Sequence, residues 1–173
     1  MKNILTIILT TLVAAVAQSQ VAIGKPEVTN SSVSLEFGSG NKGLLLPWVI
    51  SEGAVAGAVD GTIIYDTEQK KVKYRKNNTW FDLSVDKTGV VDTTLQDSLI
   101  ENNNAKVAIG ANGAADTTPG ILVLTDTNKA MILPNVAKPH LNIINPSAGM
   151  IAYDTTNHML AVYNGTVWSF WKP

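Results

Sequence analysis

Cysteine is absent from this chain of 173 residues. Its absence excludes disulfides, thiolate catalysis, thiolate metal ligands and a lipid-anchor cysteine. Histidine occurs only at His140 and His158, and neither has the spacing of a paired metal-binding motif. The 13 Lys and Arg against 14 Asp and Glu form no basic block, which argues against nucleic acid as a partner. The sequence therefore predicts no catalytic residues, no metal site and no cofactor.

One long apolar run occurs, from Ile4 to Ala17. It follows Lys2, is shorter than the ~20 residues of a membrane-spanning helix, and ends in small residues like those at signal-peptide cleavage sites. We therefore predict a signal peptide over residues 1–17, an exported mature chain and no membrane span in that chain. An N-terminal anchor helix is the alternative interpretation of the same run.

The chain contains an internal repeat. The stretch GMIAYDTTNHMLAVYNGTVW at 149–168 matches GTIIYDTEQKKVKYRKNNTW at 61–80 in six of 20 positions, at an offset of 88. Two shorter blocks, VAIG and NK-x-x-x-LP-x-V, recur upstream of both copies in the same order. We predict two tandem units, 18–84 and 107–173, each with a thin core that partner chains or packing between units must supplement.

Both units have the pattern of strands. VSLEF at 33–37 alternates apolar and polar residues, and ILVLT at 121–125 is rich in strand-forming residues. The short apolar segments that follow end at Pro47 and Pro134, which cannot donate a ladder hydrogen bond. The sequence predicts an all-β fold of hairpins and three-strand meanders.

Residues 85–106 lack this pattern and separate the two units. Val91, Leu95 and Leu99 recur every four residues, which would suit a short helix beginning near Thr93. A plain linker and a short helix both remain open for this segment.

Asn164-Gly165 is the clearest turn signal, because a two-residue type I′ turn needs positive φ at both centres. By the repeat offset, Lys76-Asn77 would take the same turn in the first unit. The register that follows sets three pairs opposite one another: Tyr163 and Thr166, Ala161 and Trp168, and Lys73 and Trp80.

Aspartates that recur after equivalent strands are expected to cap turns. An Asp side chain accepts hydrogen bonds from backbone N–H groups two residues on, whereas calcium would need several acidic oxygens in one loop. A paired catalytic carboxylate and a calcium ligand are the alternatives. We assign turn roles to six residues: Gly61, Asp66, Gly149, Asp154, Asn164 and Gly165.

The segment GSGNKG at 38–43 matches the G-x-G-x-x-G pattern of dinucleotide-binding loops. Such a loop opens a helix whose N-terminal N–H groups face phosphate, but LLLPWV follows here and reads as a strand broken by proline. We predict a turn at this segment, and a solvated turn position for His158.

Four tryptophans stand out in a chain with 6% aromatic residues. Core burial is expected for three of them, and exposure for Trp171, which lies near the end and is offset from the repeat. Exposed aromatic faces bind sugar rings or partner proteins. The candidate binding residues are therefore Trp171, Trp48 and Trp168.

The ordered blocks VAIG, NKGLLLP, G-x-I-x-Y-D-T and YNGT-x-W resemble the tail-fibre-like repeats of surface proteins secreted by Bacteroidota-type bacteria. Ala130 departs from the glycine that these repeats carry after Asn-Lys, and ISEGAVAGAV at 50–59 replaces a more polar segment. The resemblance implies a β-rich, fibre-like trimer, secreted or held at the outer surface of a bacterium. It implies no substrate.

The leading hypothesis is a non-enzymatic structural or interaction protein whose partner is another copy of itself, with glycans or surface proteins as further partners. A carbohydrate-binding module that uses exposed tryptophans is the alternative. A cell-wall hydrolase fragment is the third hypothesis, and it lacks an acid–base constellation in the sequence.

Overall fold

The computed structural model describes residues 20–102 and 104–172, so the predicted signal peptide over 1–17 lies outside the described residues. Short strands dominate the described chain, and the predicted all-β fold is confirmed. The strands are β1 Val21–Ile23, β2 Val33–Phe37, β3 Leu44–Leu45, β4 Trp48–Val49, β5 Ile63–Asp66, β6 Lys71–Lys76, β7 Thr79–Asp82, β8 Val107–Ile109, β9 Leu122–Leu124, β10 Ala130–Ile132, β11 Asn135–Val136, β12 Met150–Asp154, β13 Met159–Tyr163 and β14 Trp168–Trp171.

Across residues 20–102 and 104–172, helical structure is limited to single turns. Helix α1 spans Thr94–Asp97 and helix α2 spans Pro139–Asn142, and 3₁₀ turns occur at Glu52–Ala54 and Gly113–Ala115. Helix α1 lies where the leucine spacing allowed a short helix, and its one turn buries no residue. The rest of the described linker is extended or irregular.

The predicted three-strand meander is present in both repeats. In the first repeat, β5, β6 and β7 pair antiparallel in chain order, and in the second, β12, β13 and β14 do the same. Each meander gains one further strand on its first edge, because β4 pairs parallel with β5 and β11 with β12. The repeat in the sequence is therefore also a repeat in the sheet topology.

The predicted register of the last hairpin is wrong: each partner lies two residues further along, because the turn is centred one residue later. Tyr163 faces Trp168 and Ala161 faces Phe170, so the turn is centred on Gly165-Thr166. Gly165 has φ +103°, whereas the backbone of Asn164 does not have positive φ. Instead, the side-chain oxygen of Asn164 accepts hydrogen bonds from the N–H groups of Thr166 and Val167.

The predicted register of the first repeat is wrong by the same two residues. Lys76 faces Thr79, which leaves Asn77-Asn78 as the turn, with φ +51° and +59°. This is the true two-residue loop with positive φ at both centres that type I′ requires. Lys73 consequently faces Asp82 and not Trp80.

One apolar core is built from both repeats. The first repeat contributes Leu46, Tyr65 and Val72, and the second contributes Ile151 and Val162, all buried in a single cluster. A smaller cluster lies under the second meander and contains Val136, Ile143 and Ala152. The thin core predicted for each repeat is thus supplemented by packing between the repeats.

The first sheet begins with a parallel pair, β1 and β2, and its loop is anchored by Glu36. The Glu36 carboxylate accepts hydrogen bonds from Lys25 Nζ at 2.6 Å, Thr29 Oγ1 at 2.7 Å and Thr29 N at 2.6 Å. The bond from Lys25 and those from Thr29 lower the pKa of Glu36 from 4.5 to about 2. The loop between β1 and β2 therefore depends on an ionised carboxylate.

Acid should loosen this loop. Between pH 4.5 and about 2 the unfolded chain takes up a proton at residue 36 before the folded chain does, so the stabilisation from Glu36 is present above pH 4.5 and lost below it. We expect Glu36→Gln to be less stable than the wild type at neutral pH and to lose less stability over this acid range, by urea unfolding at several pH values. Glu27→Gln, at an exposed acid of the same loop, is the matched control. Equal acid slopes for Glu36→Gln and the wild type would contradict the assignment.

Candidate functional site

The two repeats exchange strands, which the sequence did not predict. Strand β10 of the second repeat adds parallel to β2 of the first, and β3 of the first repeat adds antiparallel to β12 of the second. Each repeat therefore completes a sheet of the other. We call these four strands, with the side chains that cross between the repeats beside them, the inter-repeat seam.

Two aromatic side chains of the first repeat bond the backbone of the second across the seam. Trp48 Nε1 donates to Ala148 O at 2.7 Å. The Tyr65 hydroxyl, wholly buried, donates to Asn164 O at 2.7 Å. Burial and the charge of Asp66 raise the pKa of Tyr65 to about 12, so the hydroxyl stays protonated and remains a donor at neutral pH.

Gly149 lets the repeats approach at this point. Its φ is +80°, and a Cβ there would lie 2.7 Å from Tyr65 Cβ and 3.3 Å from Trp48 Nε1. Gly61, its counterpart in the first repeat, has φ +91°, but no heavy atom of the described residues lies within 4 Å of the corresponding position. The backbone conformation explains both glycines, and close packing explains only Gly149.

The linker packs against the last turn of the second repeat. Asn164 Nδ2 donates to Asp86 O at 3.0 Å and Thr166 Oγ1 donates to Thr88 O at 3.1 Å. A Cβ on Gly165 would lie 1.9 Å from Val90 O. Asn164 and Gly165 thus hold the linker as well as the turn.

Asp154 is a fully buried carboxylate that caps the turn after β12. Its Oδ1 accepts the N–H groups of Thr156 at 2.8 Å, Asn157 at 3.2 Å and Lys138 at 3.2 Å, and its Oδ2 accepts Asn157 Nδ2 at 2.9 Å. Burial alone would raise the pKa of Asp154, but the bonds from Asn157, Thr156 and Lys138 outweigh it and hold the pKa below its ordinary value. These bonds place Asp154 at the cap of the turn.

Asp66, the counterpart of Asp154, is also fully buried. It accepts Gln69 N at 2.8 Å and Glu52 N at 3.2 Å. Its Oδ2 lies 3.6 Å from the ammonium of Lys73, which points into the first repeat. Asp66 therefore caps a turn and faces a buried cation.

Lys73 is enclosed by oxygen atoms. Its Nζ contacts Glu52 and Gln69 and lies 3.8 Å from Asp82 Oδ1. Burial lowers the pKa of Lys73, but the hydrogen bond to Glu52 and the charges of Glu52, Asp66 and Asp82 overcome it and raise the pKa above the ordinary value. The surrounding oxygen atoms therefore favour the charged form of Lys73.

The three candidate tryptophans lie in different surroundings. Trp48 is half-buried in the seam and tilts against the ring of Tyr65, and Trp168 is half-buried against Tyr163 and Phe170. Trp171 is exposed, yet its Nε1 donates to Leu83 O in the first repeat. The structure does not bring these tryptophans together into one binding face.

The remaining candidate motifs form turns. Residues 38–43 form a loop that leads into β3, as predicted from the absence of a following helix. His158 is exposed in the turn before β13, with φ +56°, and its Nδ1 lies 3.5 Å from the Tyr153 hydroxyl. Within residues 20–102 and 104–172, no three His, Asp or Glu side chains are grouped as a metal site. No helix in that part of the chain has both the length and the apolarity to cross a bilayer.

Two open depressions lie on the first sheet, one lined by Gln20, Ala22 and residues 26–31, the other by Gly24, Lys25 and residues around Glu36. Neither is lined by a tryptophan. They therefore contain none of the tryptophans on which the carbohydrate-binding alternative depends.

Sequence reasoning missed Tyr65 as a site residue. The available signal was the Y-D-T block shared by both repeats, but the tyrosine was not distinguished from the turn residues beside it. Nothing in the spacing of the blocks indicated that the third strand of each repeat pairs with the other repeat.

Residues 109–172 match the family model described as a phage tail like trimerisation region. The matched range takes in the second repeat from the end of β8 and leaves the first repeat outside. No curated protein and no solved structure matches the chain. The match supports a tail-fibre-like family for this part of the chain.

Proposed function

We propose that this chain is a non-enzymatic subunit of a homotrimeric, tail-fibre-like assembly. One observation carries the proposal: the range that matches a trimerisation region is the second repeat, and that repeat has apolar strands at an open sheet edge. Self-association through such an edge supplies burial that two thin repeats without disulfides lack.

The non-enzymatic part of the proposal is supported by the state of the polar groups. The carboxylate of Asp154 is saturated by backbone donors, and the ammonium of Lys73 is surrounded by carboxylates. Neither group is poised against a nucleophile or an exchangeable proton of a substrate. They stabilise turns and the sheet.

We further propose that the assembly is exported and works in the extracellular space or at the cell surface of a bacterium. The support is the signal-peptide pattern of residues 1–17 and the resemblance of the repeat blocks to secreted surface proteins. Recognition of glycans or surface proteins through Trp171, Trp48 or Trp168 stays a prediction from the sequence.

The mass in solution tests the proposal. We expect light scattering on the purified full chain to give three times the mass of one chain, and the value to persist on dilution. A control denatured in guanidinium should give the mass of one chain. A folded monomer throughout the dilution series would refute the trimeric assembly.

A further inference from the structure

We propose that two copies of the chain associate by the same kind of strand pairing that joins the two repeats within one chain. The first repeat of the second copy docks on the second repeat of the first copy. Strand β3 of the second copy would add to the open edge of β9, and β10 would add to the N-terminal half of that copy's β5. This inference rests on the self-association proposed above and names the surfaces that carry it.

The third strand of each repeat has room for two neighbours. Within the chain β3 pairs antiparallel with β12, and β10 pairs parallel with β2. The residues involved, Leu44-Leu45 and Met131-Ile132, are equivalent at the repeat offset of 87. Leu46 N, at the end of β3, bonds Gly149 O, whereas Ala130 N of β10, the equivalent of Gly43, bonds Ser32 O. Successive N–H groups of a strand point to opposite sides, and positions 43 and 46 are three residues apart, so the two neighbours lie on opposite edges. Each third strand therefore uses one edge, and its other edge has no strand partner among the described residues.

The second repeat exposes what the first repeat buries. Leu35 of β2, covered by β10, is 1% exposed, whereas its counterpart Leu122 of β9 is 41% exposed. Ser34 is 0% exposed, and its counterpart Ile121 is 59% exposed. An exposed apolar edge of this kind is a template for another strand. The neighbour that β9 lacks is the equivalent of β10. The equivalent of β10 in the first repeat is β3, so β3 of another copy can take this place.

The first repeat is open on the complementary side. Ile151 of β12, which β3 covers, is buried, while its counterpart Ile63 is half-buried. Leu45, on the strand β3 that would pair with β9 of another copy, is 47% exposed. The Cβ position of Gly149 meets Tyr65 and Trp48 of the other repeat, whereas that of Gly61 has no heavy atom of the described residues within 4 Å. Both halves of the interface are thus present on one chain, but on different repeats.

The register of the contact between copies follows from the offsets. Leu44 would face Leu122, Leu45 would face Val123, and Ile132 would face Thr62 of the next copy. Apolar residues meet in the two parallel pairs. The contact is head-to-tail, so it closes into a ring when the rotation between copies allows, as in a trimer.

Cysteine pairs test this register, since the natural chain has no cysteine. Opposite residues of an antiparallel pair have Cα atoms within the range that a disulfide spans. We expect Thr62→Cys with Ile132→Cys to give covalent dimers and trimers on a non-reducing gel after mild oxidation, and reductant to abolish them. Leu45→Cys with Met150→Cys, the same pair inside one chain, should give only an internally bonded monomer. Thr62→Cys with Thr155→Cys, on an exposed turn, should stay uncrosslinked.

Leu122→Lys provides a second measurement without new bonds. A charge on the open edge of β9 should convert the assembly into folded monomers, with the circular dichroism spectrum kept. Two results would overturn the strand pairing and leave the proposed assembly intact. One is an oligomer that persists in Leu122→Lys. The other is a wild-type oligomer in which Thr62→Cys with Ile132→Cys forms no crosslink while the internal pair does. A wild-type monomer at every concentration would overturn both.

Discussion

Tyr65→Ala is expected to lower the free energy of unfolding by about 3–5 kcal/mol, the range for deleting a buried aromatic side chain. The ring lies at the centre of the core that both repeats share, and the hydroxyl bonds Asn164 O across the seam. The variant should therefore lose both apolar contact and the attachment of the second repeat. Chemical unfolding followed by tryptophan fluorescence measures the change.

Two further variants separate these contributions. Tyr65→Phe keeps the ring and removes the bond to Asn164 O, so we expect a loss of about 1–2 kcal/mol. Tyr74→Ala removes the same atoms from a half-buried position stacked on the exposed Phe81, and should cost clearly less than Tyr65→Ala. Equal losses for Tyr65→Ala and Tyr74→Ala would show that the two repeats do not share a core at Tyr65.

Local structure was the part of the fold that the sequence could predict. Alternation in VSLEF, prolines after short apolar runs and the repeated Y-D-T block depend on neighbours in the chain, and the strands and both meanders follow from them. The predicted position of the last turn was wrong by one residue, because an asparagine such as Asn164 can stabilise a turn in two ways. When asparagine precedes the turn centre, its side chain can accept hydrogen bonds from backbone N–H groups of the turn. When asparagine is at the centre, its backbone can adopt positive φ.

Pairing between the repeats could not be predicted, for a physical reason. The third strands, LLL in one repeat and MIL in the other, are apolar in both, so the pattern fits a partner in the same repeat as well as one in the other repeat. The repeats differ in which strand lies beside each equivalent position. Ser34 and Ile121 occupy equivalent positions, yet one is covered by β10 and the other is exposed.

The candidate residues divide in the same way. The turn bonds of Asp66 and Asp154 reach two or three residues along the chain, and Gly165 requires positive φ, so pattern reasoning could find these turn roles. Trp48 and Trp171 bond backbone carbonyls about a hundred and 88 residues away, respectively. Their long-range partners, and not their exposure alone, set how much surface they offer to a ligand.

Asp154→Ala should be among the most damaging single changes in the second repeat, with an expected loss of about 3 kcal/mol or more. It leaves the N–H groups of Thr156, Asn157 and Lys138 without their acceptor beside a fully buried position, and each unsatisfied group costs about 1–3 kcal/mol. Asp97→Ala, at an exposed aspartate of α1, is the control and should change stability little.

Asp154→Asn distinguishes the acceptor from its charge. All three backbone donors bond Oδ1, which asparagine keeps, whereas Asn157 Nδ2 would meet an amide nitrogen in place of Oδ2 unless its own amide rotates. We expect a loss of about 1 kcal/mol at neutral pH, because charge-assisted bonds become neutral ones. Since the folded chain holds the pKa of Asp154 below the ordinary 3.8, the unfolded chain binds the proton first, and the advantage of wild type over Asp154→Asn should shrink as the pH falls below that value. A constant difference down to strong acid, or an Asp154→Ala variant as stable as Asp154→Asn, would show that the carboxylate does not cap this turn.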